Sequence, residues 1–468
     1  MGSKKLIAAA VERIGKGKKV RTAKGVLALE HQEREWLSLV REAVHEVRYG
    51  SLPAVRREGA QEKRALLQTG KAEAEAELSF SSIVRLVDFI LQQAAVLQAS
   101  DIHLEPQEKK IRLRFRISGI LQEVMQMPPL LGQAVVSRLK VMAGMDIAKK
   151  QLPQDGHIHF ERAGMAIDIR VSSLPAAHGE VVVMRLMNIS EKLLSIDELG
   201  FSAQDAKKFR ELIHRPAGLM VLCGPMNSGK TSSLYAALSE LNTPERNLVT
   251  LEDPIERILA GVNQVQVNPQ AGLTYVAGLR AVLRQDVTGI LLGEIRDEET
   301  AAMAVRIALT GHLLMTTIHT ENAVAVIYRL LEMGIAPYLL SATLSGIVSQ
   351  RLVRRLCPYC REVYAVRCDA PEALALRAAG DAHEEIPLYR SRGCEHCQGT
   401  GYLGRTVLAE ILVPDEAVRE GILQKIPRRA LEERARRSGM KTLWEDGLTK
   451  VRAGITSLEE VRRVLYGG

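Results

Sequence analysis

Gly224, Pro225, Met226, Asn227, Ser228, Gly229, Lys230 and Thr231 spell G-x-x-x-x-G-K-T, the spacing of a loop that wraps a polyphosphate. Gly224 and Gly229 let backbone N–H groups turn inward around phosphate oxygens. The following helix, opened by Ser232, adds the positive end of its dipole. Lys230 can then reach the β- and γ-phosphates, and the Thr231 hydroxyl can hold Mg²⁺. A chance glycine-rich turn is the plain alternative. The apolar run Leu219–Cys223 before the loop and the helical run after it supply the strand and helix that the motif requires.

Other reactive residues come directly after apolar runs. Glu252, Asp253 and Glu256 come after Asn247–Leu251 and could position Mg²⁺ or water, or simply form an acidic loop. Glu294 comes after Gly289–Leu292 and Gly293. A carboxylate there can polarise an attacking water beside a γ-phosphate; the alternative is an acid opening a helix. His319 comes after Leu313–Ile318, where an imidazole can hydrogen-bond the γ-phosphate and report its loss, or can be a core or capping residue. His312, after Thr310-Gly311, is the weaker of the two histidines.

Cys357 and Cys360 form one C-x-x-C pair, and Cys394 and Cys397 another. Four thiolates suit a tetrahedral, structural Zn²⁺ site. A redox pair is the alternative, but one such pair would suffice for that chemistry. Cys223 and Cys368 read as ordinary residues, although Cys368 could compete as a ligand.

These residues must be positioned by strands alternating with helices from Phe201 onward. That pattern predicts an α/β domain with a mostly parallel, doubly wound sheet and its ligand at the carboxyl strand ends. Before it, residues 77–188 read as a compact α+β domain. In it Ile111, Leu113, Phe115 and Ile117 alternate with Arg112, Arg114 and Arg116. Residues 189–200 read as a linker. Residues 1–76 read as a basic, helical docking region, with Leu6, Ile7, Val11 and Ile14 on one face and a second helix over His31–Val47. Within 201–468, a tetracysteine subdomain is expected over 353–402 and helices over 403–468, including a capping box from Ser457 to Glu460.

The whole chain, at 468 residues, calls for several domains. Charged residues at 25% and hydrophobic ones at 46% match a soluble globular protein, and with no long apolar run or signal peptide the expectation is a cytoplasmic one. The net charge of +8 admits acidic lipid, nucleic acid or acidic protein as partner. Aromatic residues at 4% argue against base stacking, so a nucleic-acid translocase is the disfavoured alternative.

The ordered motifs LEDPIE (251–256), GEIRDEETA (293–301), TGH (310–312), TTIHT (316–320) and the paired C-x-x-C resemble the secretion ATPases of the type II system and of type IV pilus assembly. So do ASDIHLEP (99–106), LPQDG (152–156), RVSSLP (170–175) and GITSLEEVRRVL (454–465). The resemblance covers residues 81–468. It implies a RecA-like P-loop ATPase domain with a zinc-binding insertion, preceded by a PAS-like domain and an N-terminal docking domain. It implies ATP, Mg²⁺ and Zn²⁺ as cofactors. It further implies a homohexamer, peripheral at the inner membrane and working with platform and docking proteins. By matching position it makes Glu294 the catalytic carboxylate and Glu252, Asp253, Glu256, His312 and His319 box residues. It also places Arg170 on the phosphates from the second domain, with Arg116 and Arg185 as neighbours. The four cysteines resemble the assembly branch; retraction ATPases lack them. The chain departs from the pattern at His157, where the family has arginine, and at Lys150-Gln151, Ser118-Gly119, Val287-Thr288 and Glu321-Asn322.

Overall fold

The computed structural model describes residues 81–467, except 118, 163–164, 188–192, 368–375, 377–384 and 398. The expected docking helices of residues 1–76 and Cys368 lie outside the described residues. The chain divides into two compact units, Met1–Glu191 and Lys192–Gly468.

In the first unit, α1 (Ser81–Val96) buries Leu86, Val87, Ile90, Leu91 and Ala94, the spacing of one helical face. It precedes β1 (Ala99–Pro106), β2 (Ile111–Ile117) and β3 (Ile120–Met127). After α2 (Pro129–Met142) come β4 (Gln154–Arg162), β5 (Met165–Ala176) and β6 (Gly179–Met187). The six strands form one antiparallel sheet in the order β3-β2-β1-β6-β5-β4. Alternation sorts its faces. Ile102, Leu104, Leu113, Phe115, Ile169, Val171, Val182 and Met184 pack with α1 and α2. Ionic residues occupy the other face. ASDIHLEP, read as a motif, is thus also a strand with Ile102 and Leu104 in the core.

The second unit opens with a short 3-10 helix (Ile196–Leu199) inside the stretch read as a linker, its Ile196 and Leu199 packed into the core, followed by α3 (Ala203–Ile213), capped by the Ser202 side chain. Its strands are β7 (Gly218–Cys223), β8 (Leu248–Glu252), β9 (Asn263–Gln266), β10 (Gly289–Leu292), β11 (Leu313–Ile318) and β12 (Leu344–Leu356). Between them run α4 (Lys230–Leu241), α5 (Tyr275–Val282), α6 (Glu298–Leu309), α7 (Ala323–Glu332) and α8 (Pro337–Thr343). The sheet order is β15-β12-β7-β11-β10-β8-β9, where β15 (Tyr402–Leu412) is the antiparallel edge and the rest are parallel. Both faces are covered. Leu219, Val221 and Cys223 of β7 face the core with α5 to α8, while Met220 and Leu222 face the one with α3 and α4. Burial on both sides is why these strands read as unbroken apolar runs.

The expectation of helices over 403–468 is corrected at its start, since Tyr402–Leu412 is a strand paired with β12. Val407-Leu408-Ala409 and Ile411-Leu412 flank a single acid, a short apolar run whose periodicity cannot separate helix from buried strand. Helices follow from Glu416: α9 (Glu416–Leu423), α10 (Arg428–Arg437), α11 (Leu443–Arg452) and α12 (Leu458–Tyr466). Ser457 caps α12 as expected, accepting from Glu460 N. The Glu460 carboxylate does not close the expected box. It binds Arg354 N at 3.0 Å and the Arg354 and Arg463 guanidiniums at 2.7 Å, locking α12 to β12.

Candidate active site

Parallel pairing puts the carboxyl ends of β7, β11, β10 and β8 on one edge. Ile318 pairs with Cys223, and Leu292 pairs with both Thr316 and Leu251. The residues just past each of these strands are therefore brought together.

After β7 comes the phosphate-binding loop. Gly224 has φ 144° and Gly229 φ 89°, left-handed values that favour glycine. A Cβ on Gly224 would also stand 2.5 Å from Gln350 O. Gly229 is the N-cap of α4, so Lys230 begins the helix, and Thr231 and Ser232 beside it are exposed. Pro225, Met226 and Asn227 are exposed, while Ser228 is buried with its Oγ unpartnered. Buried Lys230 donates from Nζ to Gly224 O at 2.8 Å and Pro225 O at 3.0 Å. Burial lowers the pKa of this ammonium, and the Arg351 charge adds to the effect.

After β10 comes Gly293, where a Cβ would stand 2.8 Å from the Tyr275 hydroxyl, and then Glu294. One Glu294 oxygen accepts from Arg296 and the other lies 3.3 Å from His319 Nε2. Arg296 also reaches Asp253 at 3.7 Å. Glu294, His319, Arg296 and Asp253 thus form one connected cluster at the strand ends. Glu294 is not the acid that starts α6; Asp297 does that, accepting from Thr300 N at 2.8 Å.

Glu252 is placed differently. It is buried, accepting from Tyr235 through one oxygen and from Thr250 at 2.6 Å and Gln264 at 3.1 Å through the other. Burial first, then this carboxylate, pushes the Tyr235 phenol pKa up. Glu256 is exposed, its backbone N–H donating to the Tyr235 hydroxyl at 3.3 Å. His312 is not brought to this edge. It precedes Leu313, which pairs with Gly218, and so sits at the amino end of β11, its ring 3.1 Å from Thr310 Oγ1.

The first unit gathers the expected arginines in one row. Arg116 pairs across strands with Asp101, Asp101 with Arg185, Arg185 with Arg170, and Arg170 with His157. Directly opposite residues share a sheet face. Asp101, which sequence reasoning passed over, is the buried hub. It holds Arg185 at 3.0 Å and Arg116 at 3.3 Å. Its place in ASDIHLEP and its alternation with Ile102 were the available signals.

Cys357 and Cys360 leave the end of β12, and Cys394 and Cys397 follow the hairpin of β13 (Arg361–Arg367) and β14 (Glu385–Ser391). Their Sγ atoms all lie within 4.8 Å of one another. Cys357–Cys394, Cys360–Cys397 and Cys394–Cys397 separations are 3.7, 3.8 and 3.7 Å. A tetrahedron of thiolates about 2.3 Å from a metal has edges of about 3.8 Å; a disulfide would need about 2.05 Å. Burial pushes the Cys360 thiol up to about 12. Burial opposes ionisation of Cys397 too, yet N–H groups of Cys394 and Gly401 bring it down to about 7.

A parallel sheet covered on both faces, with a G-x-x-x-x-G-K-T loop and a carboxylate at its strand ends, defines a P-loop ATPase. The family of Type II/IV secretion system proteins matches residues 76–463, and the chain belongs to it. It is 47% identical over 382 residues to the type II secretion system ATPase E of Vibrio cholerae, covering 82% of this chain and 75% of that one. It is 44% identical to the type IV pilus assembly ATPase PilB of Thermus thermophilus, over 82% of this chain and 43% of that one. Among solved structures, the Legionella pneumophila ATPase DotB aligns over 81% of this chain and 95% of its own with a TM-score of 0.60. At 21% identity that likeness concerns the fold.

Proposed function

We propose that the chain is the motor ATPase of a type II secretion or type IV pilus assembly system, working as a homohexamer at the inner membrane. The observation that carries the site is the convergence of Lys230, Glu294 and His319 on one edge of the sheet. Lys230 grips the β- and γ-phosphates of ATP. Glu294 orients and polarises the attacking water, Arg296 and His319 holding its two oxygens in place. His319 also hydrogen-bonds the terminal phosphate, so loss of that phosphate frees its loop to move. Exposed Thr231 offers a hydroxyl suited to Mg²⁺, which when bound would compensate phosphate charge. Glu252 is buried, its oxygens taken by Tyr235, Thr250 and Gln264, and braces β8 against α4, whereas the Glu294 carboxylate stays partly exposed to water. The row of Arg170, Arg185 and Arg116 has the charge to meet phosphate oxygens.

The thiol spacings support Zn²⁺ bound by Cys357, Cys360, Cys394 and Cys397 as a closed, structural site. Among the described residues no helix is long and apolar enough to cross a membrane. The resemblance assigns membrane attachment to platform and docking proteins, with acidic phospholipid as a second contact for the basic chain.

Lys230→Ala and Glu294→Gln are expected to lower phosphate release about a hundredfold or more while leaving the melting temperature unchanged. Normal hydrolysis by either variant would refute the role given to that residue.

A further inference from the structure

One side chain bonds to the loop that bears His319 and lies beside the phosphate loop. Ser349 of β12 pairs with Cys223, the last residue of β7. The strand then carries Gln350 and Arg351 alongside the phosphate loop. Gln350 is fully buried and donates to Ser233 of α4 at 2.9 Å, which holds this part of β12 against the helix. The Arg351 guanidinium donates from one terminal nitrogen to Gln350 O at 3.0 Å and from the other to Glu321 O at 2.9 Å. A Cβ on Gly224 would come within 3.2 Å of the first of those nitrogens. Glu321 belongs to the loop that leaves β11 through His319.

The far end of that loop is anchored separately. Asn322 caps α7 by accepting from Ala325 N at 2.9 Å, and Glu410 accepts from Ala323 N at 2.8 Å. Between Ile318 and Asn322, Arg351 ties the backbone of this loop to β12 beside the phosphate loop, and the Cys223 thiol adds a longer contact of 3.5 Å to Asn322 O.

The chemistry of the tie is specific to arginine. The planar fork spans two carbonyls at fixed separation, and the group cannot shed its charge. Among the described residues Arg351 forms no ion pair. Burial lowers its pKa, and Glu410 and Glu321 act on it only at a distance. This mid-strand arginine is thus held by backbone dipoles beside the phosphate loop.

We infer that Arg351 is a positioning residue. It fixes the loop bearing His319 against the phosphate loop, so that His319 stays in register with Glu294 and the terminal phosphate. The inference rests on the role proposed for His319.

The test is a double-mutant cycle on the full chain, reading kcat and KM for ATP. Arg351→Gln is expected to lower kcat about tenfold while KM stays within about threefold. Arg351→Gln combined with His319→Ala is expected to be no slower than His319→Ala alone, because both losses pass through one imidazole. If the Gln variant melts early, Arg351→Lys takes its place in the same cycle, keeping charge and bulk but losing the fork. Wild-type kcat in the Arg351 variant, or losses that multiply in the double variant, would overturn the inference and leave the His319 reading standing. A fully active His319→Ala protein would overturn both.

Discussion

The phosphate-binding edge and the cysteine knuckle are both dense with reactive groups, and they are held in opposite ways. The knuckle draws its thiols from two short segments, one at the end of β12 and one after β14. Its sulfurs face each other, Cys357, Cys360 and Cys397 are buried, and backbone N–H groups point at Cys397. The phosphate edge draws on four strand ends. Its Lys230 ammonium is bonded to its own loop's carbonyls, its Ser228 hydroxyl is buried without a partner, and His319 is half exposed. A closed, mutually satisfied cluster suits a fixed structural role. A cluster whose partners can be exchanged suits a site that binds, reacts and releases.

If that contrast is right, damage to each region reads out differently. The largest effect is expected from Gly224→Ala. The new Cβ meets the Gln350 carbonyl and the φ of 144° strains any side chain, at about 1–3 kcal/mol for the backbone alone. Nucleotide binding, followed by titration with a fluorescent ATP analogue, should weaken about a hundredfold or more, with the zinc content of the protein the same as wild type. Wild-type affinity would mean the loop tolerates a shape that its neighbours forbid.

A smaller effect on turnover, but a clear one on stability, is expected from Cys360→Ser. Elemental analysis should find about one zinc per wild-type chain and little in the variant. The melting temperature should fall, since thiolate binding is part of folding in such knuckles. Turnover per folded chain should fall less than with Gly224→Ala. A variant without metal that melts like the wild type would remove the structural role.

The smallest effect sharpens the boundary between the regions. Glu410 on β15 is buried, and burial raises its pKa above the ordinary carboxylate value. A raised folded-state value means its stabilising contribution is complete below the unfolded pKa and lost as pH rises through the folded one. Glu410→Gln keeps an acceptor for Ala323 N and removes the charge. The variant should therefore gain melting temperature relative to wild type as pH rises from acid to neutral. A difference that is flat with pH would show that the carboxylate is not strained by its burial.

Local signals were legible in proportion to how local their cause is. The phosphate loop could be read because its glycines, lysine and flanking apolar run are contiguous, and Glu294 and His319 because each closely follows a buried run. The strand Tyr402–Leu412 could not, because its apolar stretch suits either period and only pairing with β12 selects the strand. The Glu460 carboxylate was misread for a related reason. The sequence pattern offers it a cap three residues back, whereas the fold offers it two guanidiniums and the Arg354 N–H.

By itself the order of residues determined the ligand class, the doubly wound sheet, the candidate carboxylate and the four thiols, since spacing along the chain sets which groups a strand or turn can present. Only the tertiary structure decided that Glu252 is already engaged, that His312 lies at the far edge, that Asp101 joins the arginine row, and that Arg351 ties the His319 loop to β12. Those four outcomes depend on which strand lies beside which and in what register. Register is set by core burial summed over the whole sheet, and no single stretch of sequence carries it.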